Sequence, residues 1–348
     1  MKRLRLGLVV LLGLAGAAGA GWYWWRQERL AHFATRPFGS ETAKRVEVPA
    51  GTGPRTLSLK LAAAGVVSSA EEFYGLIRQE GVGPRLQAGE YEFQGAQTPE
   101  EVLEKLVLGK VKTYRFTIPE GLRVDEILPL IAGSELKLEL RTLRALSTDP
   151  AFLKQAKVPT RTLEGFLFPD TYHFARPYSE EQVLQKMISR TFEEYARADT
   201  ERKPGVKLTF QETLTLASII EKETGAPVER PRISCVFHNR LRLGIPLATD
   251  PTVLYAMMLR DGRYSKNITR KDLQTVHPYN TYRVKGLPPG PIASAGTAAL
   301  RAALEPLDCS DLFFVSRNDG THVFCPDLRC HEEQVRKWQI EFHRNRRR

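Results

Sequence analysis

Residues 209–224 read Thr-Phe-Gln-Glu-Thr-Leu-Thr-Leu-Ala-Ser-Ile-Ile-Glu-Lys-Glu-Thr. Thr209 and Glu212 stand in the T-x-x-E spacing of a capping box, in which hydroxyl and carboxylate each satisfy an otherwise orphaned amide. The apolar run Leu214 to Ile220 follows, and Gly225 and Pro227 supply the stop. The stretch is therefore a helix ending in Glu221, Lys222 and Glu223. Leu214, Ala217 and Ser218 lie seven, four and three residues before Glu221, so this carboxyl shares a face with small and apolar side chains. Burial there disfavours the charged form, and the negative end of the helix dipole pushes the same way. A carboxylic acid kept protonated near neutrality is what general-acid chemistry requires. Periodicity does not single out Glu221, because Glu223 follows Leu216, Ile219 and Ile220 at the same offsets. A solvated acidic helix end, with Lys222 as partner, is the plainer reading of the spacing alone.

Outward from this helix the second half of the chain is dense in motifs. Upstream lie the aromatic-rich segment Leu163-Glu164-Gly165-Phe166-Leu167-Phe168-Pro169-Asp170-Thr171-Tyr172, a helix from Gln182 to Ala198, and a Lys-Pro-Gly break at 203–205. Downstream run Glu229 to Leu241, then Ile245 to Val253, a polar turn entering a helix. Tyr279-Asn280-Thr281-Tyr282 precedes Gly286-Leu287-Pro288-Pro289-Gly290-Pro291-Ile292. A loop of amides, hydroxyls and tyrosine faces suits a carbohydrate, since rings stack on sugars and polar groups meet their hydroxyls. A rigid surface turn would carry the same residues.

The first half is simpler. Arg45-Val46-Glu47-Val48 alternates as a strand does and ends at the turn Pro49-Ala50-Gly51. A helix through Leu57 to Ala64 is stopped by Gly65, and a second covers Ser69 to Glu80. Glu90 to Phe93 alternates again, and Thr98-Pro99 opens a helix that ends at Gly109. Phe116 to Gly121 echoes residues 46–51 and leads into the apolar-periodic stretch Val124 to Ala132, with Pro129 inside it. The echo suggests a duplicated β-α unit. The strand–helix–helix–strand order resembles LysM modules, which bind N-acetylglucosamine polymers; a structural spacer has the same pattern.

Composition and termini bound the setting. The 348 residues are 42% hydrophobic and 26% charged, which excludes disordered, collagen-like, coiled-coil and polytopic membrane classes. Formal net charge is +11, but Lys2, Arg3, Arg5, Arg344, Arg346, Arg347 and Arg348 account for seven, leaving +4 for the body. A near-balanced body argues against a nucleic-acid groove. The basic tail is solvated or touches an anionic lipid or polymer. After Lys2, Arg3 and Arg5 come the 20 uncharged residues Leu6 to Trp25, about the length that crosses a bilayer as a helix. Trp22-Tyr23-Trp24-Trp25 closes the run like an interfacial aromatic belt, and the preceding charges place the N-terminus in the cytoplasm. A cleaved signal peptide, with Leu8 to Leu14 as apolar core and Ala18-Gly19-Ala20 as cleavage site, is the alternative. Either way the body lies outside the cytoplasm. Cys235, Cys309, Cys325 and Cys330 allow three pairings there, and Cys325 and Cys330 are close enough to bridge a short loop. Free thiols, or a partial zinc site with His331, are the other readings.

The segments LEGFLFPDTY (163–172), ASIIEKET (217–224), VFHNRL (236–241), TDPTV (249–253), NTY (280–282) and GLPPGPI (286–292), in that order, resemble the YceG-like family of membrane-anchored endolytic murein transglycosylases. The resemblance runs from Thr160 to about Val335, with His238 where the family more often has Tyr. It implies an α+β fold: a cytoplasmic tip (1–5), a transmembrane anchor (6–25), a linker (26–44), a LysM-like module (45–112) and a larger catalytic domain (113–348). It maps the family's catalytic glutamate onto Glu221, which separates it from Glu223. It implies a non-hydrolytic cut between N-acetylmuramic acid and N-acetylglucosamine that leaves 1,6-anhydro ends and terminates nascent strands. Glu164, Phe168, Asp170, Asn239, Arg240, Asp250, Thr252, Tyr279, Asn280 and Tyr282 would line the glycan groove, with no metal or cofactor. Glycan strands and the membrane would be its partners, with penicillin-binding proteins as candidate synthases. The alternative is a non-catalytic, membrane-anchored peptidoglycan-binding scaffold.

Overall fold

The computed structural model describes residues 2–262, 265, 267–341 and 344. The chain is mixed α and β, with three two-stranded sheets among the described residues. It divides into two compact units, Met1–Tyr114 with Phe174–Pro177, and Arg115–His173 with Tyr178–Arg348.

The first unit opens with α1 (Lys2–Thr35), followed by β1 (Phe38–Val48), α2 (Pro54–Ala63), α3 (Ala70–Gln79), β2 (Gly89–Gln97) and α4 (Pro99–Val107). β1 and β2 pair antiparallel, with Val46 opposite Tyr91. Their alternate residues Val46, Val48, Tyr91 and Phe93 enter one core with Leu57, Leu61, Phe73, Ile77 and Leu106. The helix starts follow local chemistry. Ser69 accepts from the Glu72 N–H at 3.3 Å, Thr98 and Glu101 form a capping box, and Pro54 and Pro99 begin their helices. The stretch 26–44, expected as a connector, is instead helix to Thr35 and strand from Phe38. The cause is an apolar stripe: Leu30, Phe33 and Ala34, at helical spacing, are buried, and Arg29 pairs with Glu72 at 2.6 Å.

The expected membrane span, Leu6–Trp25, falls within α1, but the side chains of residues 6–13, 15 and 16 lie outside the described residues. Among the described residues no helix is long and apolar enough to cross a membrane. Tail residues Arg346, Arg347 and Arg348 also lie outside them.

The second unit is largely helical. Its elements are most of β3 (Thr113–Thr117, from Arg115), α5 (Val124–Ala132), α6 (Leu140–Leu146), α7 (Pro150–Gln155), most of β4 (Thr171–Ala175, to His173), α8 (Glu180–Asp199), α9 (Phe210–Glu223), α10 (Arg230–Leu243), α11 (Asp250–Asp261), α12 (Arg270–Gln274), α13 (Thr297–Leu304), β5 (Phe313–Ser316), β6 (His322–Cys325) and α14 (Leu328–Val335). β3 pairs with β4 and β5 with β6, so the echo of the first strand–turn–helix does not close a hairpin of its own. Pro129 does not break α5, whose buried Ile127, Leu128 and Ile131 offset the one missing helical hydrogen bond.

α9 is the axis of this unit, with α10, α11 and α13 against it. Every residue from Thr213 to Ile220 is buried, so the helix is covered all round rather than on one face. Its hydroxyls bond within the helix: Thr213 to the Thr209 carbonyl at 2.8 Å, Thr215 to Gln211 at 2.8 Å, Ser218 to Thr215 at 2.7 Å. Cys235 is bonded to Cys309 and Cys325 to Cys330, which resolves the open pairing and leaves no thiolate of Cys325 or Cys330 for zinc.

Candidate active site

α9 emerges from the core at its C-terminal end, where its first partly exposed residue is Glu221. Two groups hold its carboxyl. Arg230 Nη2, in the first turn of α10, donates to Oε1 at 2.8 Å, and the Gly296 N–H, at the start of α13, donates to Oε2 at 3.0 Å. The two side chains of this pair retain only 7% and 6% of their exposure, for Arg230 and Glu221 respectively. Burial pushes the Glu221 carboxyl above its ordinary value, and Glu120 pushes the same way; the Gly296 N–H, Arg230 and Lys222 oppose them. Lys222 is turned aside, donating to the Gly121 carbonyl at 2.9 Å.

Two strap-like segments frame this carboxyl. Residues 121–122 and 294 exchange backbone hydrogen bonds, Gly121 N–H to Ser294 O and Ser294 N–H to Leu122 O, both at 2.8 Å. The proline-rich loop before Ser294 is tied to α9 itself. The Ile292 N–H donates to Ser218 Oγ at 3.0 Å, and Gln211 Nε2 donates to the Pro289 carbonyl at 2.7 Å. Gly165 makes room for that loop: a Cβ there would lie 2.2 Å from the Pro291 Cβ, at φ +79°.

The other carboxyls expected here lie in separate clusters. Glu164 is buried and accepts from the Val124 N–H at 3.2 Å and the Tyr255 hydroxyl at 3.3 Å. Burial pushes its pKa up to about 8. Glu223 accepts from the Thr249 hydroxyl, and burial pushes it up to about 7. Next to Thr249, Asp250 accepts from the Tyr282 hydroxyl at 2.7 Å, and both residues are exposed. Asp170 is paired with Arg190 at 2.9 Å.

Several residues expected to line a groove are buried or hydrogen-bonded within the fold. Asn280 is 1% exposed and spends its amide on the carbonyls of Asp272, Leu273 and Thr275, closing the end of α12. Thr252 is fully buried between the Thr249 carbonyl and the Thr281 hydroxyl. Asn239 donates to the carbonyls of Cys309 and Asp311, and Arg240 to those of Leu312, Pro246 and Leu247. Phe168 is buried beneath the Arg190 guanidinium. These positions are buried or committed because a motif reports what a segment needs in order to fold as well as what it binds. His238 meets the Ala303 carbonyl at 2.9 Å, joining α10 to α13, and burial pushes its pKa down. Sequence reasoning left Arg230, Gly296 and Glu120 without roles; they lie 9, 75 and 101 residues from Glu221, and no spacing rule connects such positions.

Comparison with known proteins places this arrangement. The profile of the YceG-like family matches residues 46–337. The endolytic murein transglycosylase of Bacillus subtilis (strain 168) is 32% identical over 315 residues, covering 86% of this chain and 86% of that protein. The protein of the same name from Streptococcus pneumoniae serotype 2 (strain D39 / NCTC 7466) is 27% identical over 366 aligned positions, covering 96% of this chain and 65% of that longer protein. Among solved structures, a yceG-like protein of Listeria monocytogenes superposes with a TM-score of 0.57 at 32% identity, over 84% of this chain and 99% of that one. By the length of the family match, the chain belongs to the YceG-like family.

Proposed function

We propose that the chain is an endolytic murein transglycosylase, a lyase of peptidoglycan, with Glu221 as its single acid and base. The observation that carries this reading is a half-buried residue at the end of the central helix whose carboxyl is raised by burial and oriented by one guanidinium and one backbone N–H. Protonated Glu221 delivers its proton to the glycosidic oxygen between N-acetylmuramic acid and N-acetylglucosamine, and the bond to the anomeric carbon breaks. The Glu221 carboxylate then takes the proton of the muramic C6 hydroxyl, whose oxygen closes on the anomeric carbon as a 1,6-anhydro ring. Glu221 ends protonated, as it began. Hydrolases need a second carboxylate as nucleophile or water-activating base; here the substrate supplies the nucleophile. While Glu221 is ionised, Arg230 and the Gly296 N–H stabilise it. The exposed Asp250–Tyr282 pair and the partly exposed Tyr279 are the groove residues best placed to meet sugars.

The rest of the chain supports an envelope setting within the same proposal. Trp22, Tyr23, Trp24 and Trp25 are 55–73% exposed on α1, as a belt at a membrane surface requires. Leu6–Trp25 would anchor the protein in the cytoplasmic membrane, N-terminus inside and body outside. The β1-α2-α3-β2 order favours a LysM-like, sugar-binding role for the first unit. Cutting within nascent strands implies work beside a glycan synthase, with penicillin-binding proteins as candidates. The test is mass spectrometry of uncross-linked glycan strands treated with the full chain in detergent, beside Glu221→Gln. Internal 1,6-anhydro ends, absent with the variant, support the reading. Reducing ends would mean hydrolysis, and bound but uncut strands would mean a scaffold.

A further inference from the structure

A general acid hydrogen-bonded to a guanidinium is chemically awkward. Arg230 favours the ionised form of Glu221, yet the reaction begins with Glu221 protonated. The contacts around Arg230 contain the compensation. Its Nη2, which donates to Glu221 Oε1 at 2.8 Å, also faces Glu120 Oε2 at 3.5 Å. Both carboxylates are met through one nitrogen, while the buried Nε has no hydrogen-bond partner among the described residues. That nitrogen carries two N–H groups, so one guanidinium edge serves both carboxylates.

The backbone makes room for this arrangement. A Cβ on Gly296 would stand 1.8 Å from Glu120 Oε1. Gly296 therefore does two things: its N–H holds Glu221, and its bare Cα admits the Glu120 carboxylate. Its own backbone, at φ −80° and ψ 175°, is one that any residue adopts, so the glycine is there for space and not for conformation. The charged groups facing Glu221 are Arg230 from α10, Glu120 from the turn between β3 and α5, and Lys222 from its own helix.

We infer that Glu120 is a positioning residue that, through Arg230, keeps Glu221 competent as an acid. With Glu120 ionised, the guanidinium's charge is shared, and Glu221 holds its proton until a substrate arrives. When the proton is delivered, Arg230 closes on the new Glu221 carboxylate and stabilises it, then relaxes toward Glu120 as Glu221 recovers a proton from the C6 hydroxyl. This rests on the transglycosylase reading above.

The experiment is the pH dependence of kcat/KM for anhydro-end formation by the full chain on uncross-linked strands. For a general acid the rate declines on the alkaline side as the acid ionises. Glu120→Gln leaves Arg230 uncompensated and moves that limb toward lower pH by about one unit, so that turnover on the alkaline limb falls by roughly tenfold at a given pH. Glu120→Asp keeps the limb near its original place. Arg230→Gln moves it the other way. Gly296→Ala meets only the Glu120 side chain, from its Cγ outward, and no backbone, so it folds with that side chain turned away and reproduces the Glu120→Gln shift. A Glu120→Gln limb that stays in place, whether the rate falls or not, overturns the inference, as does an unshifted Gly296→Ala enzyme. If Glu221→Gln still produces anhydro ends at the original rate, the transglycosylase assignment to Glu221 has failed instead, and the two failures are told apart.

Discussion

At the scale of single residues, three buried carboxyls are raised by desolvation, and their partners distinguish them. Glu221 is held by a cation and a backbone N–H, whereas Glu164 meets only the Val124 N–H and the Tyr255 hydroxyl among its hydrogen-bond donors in the described residues. Glu221→Gln is expected to lower turnover by at least about 1,000-fold with glycan binding retained, read as kcat against KM. Glu164 makes a different prediction. Its folded pKa, about 8, lies above its ordinary value of 4.5, so the folded state holds the proton more tightly. Stability is then fully present below pH 4.5 and is lost as pH rises toward 8, by at most about 1.4 kcal/mol per pH unit from this group. Glu164→Gln should flatten that slope in denaturant titrations taken at several pH values. An unchanged slope would mean that Glu164 is ionised in the fold. The sequence could nominate Glu221 by its motif, but the hydroxyl that meets Glu164 belongs to Tyr255, 91 residues away.

At the scale of elements, starts and stops were legible and surroundings were not. The capping boxes at Thr98, Ser179 and Thr209 are local, closing within three residues, so a short window holds the whole interaction. The tie between α9 and the proline-rich loop is not local. Ser218 is fully buried and accepts the Ile292 N–H, 74 residues on. Ser218→Ala should remove about 1–3 kcal/mol, because a buried amide loses its partner. The midpoint of urea unfolding checks it, and an unchanged midpoint would mean the loop finds another acceptor. Gly165→Ala should be worse, since a methyl group meets Pro291 and the backbone sits at positive φ. Its soluble yield and melting temperature should both fall. The apolar stripe Leu30-Phe33-Ala34 has i, i+3, i+4 spacing, but its charged neighbours mask the helical signal.

At the scale of the whole molecule, long-range links dominate. The Cys235–Cys309 bond closes a 74-residue loop between α10 and the chain beyond α13. Replacing both with Ala should lower stability by about 3–4 kcal/mol through the freed unfolded chain. Thermal unfolding measures that loss, and peptide mapping without reductant should recover the Cys235–Cys309 and Cys325–Cys330 pairs. Finding Cys309 joined to Cys325 or Cys330 would contradict the chain path described. The sequence by itself determined the starts of α4 and α9, the strand–helix–helix–strand order of the first unit, the α+β class and the motif that marks Glu221. These follow from hydrogen bonds and periodicities spanning a few residues, which any window of the chain displays. Only the tertiary structure decided that β3 pairs with β4, that Asn280 and Thr252 are buried, and that Arg230, Glu120 and Gly296 converge on one carboxyl. The longest of those links span more than 150 residues and are selected by the joint burial of several helices, a condition that no single segment carries.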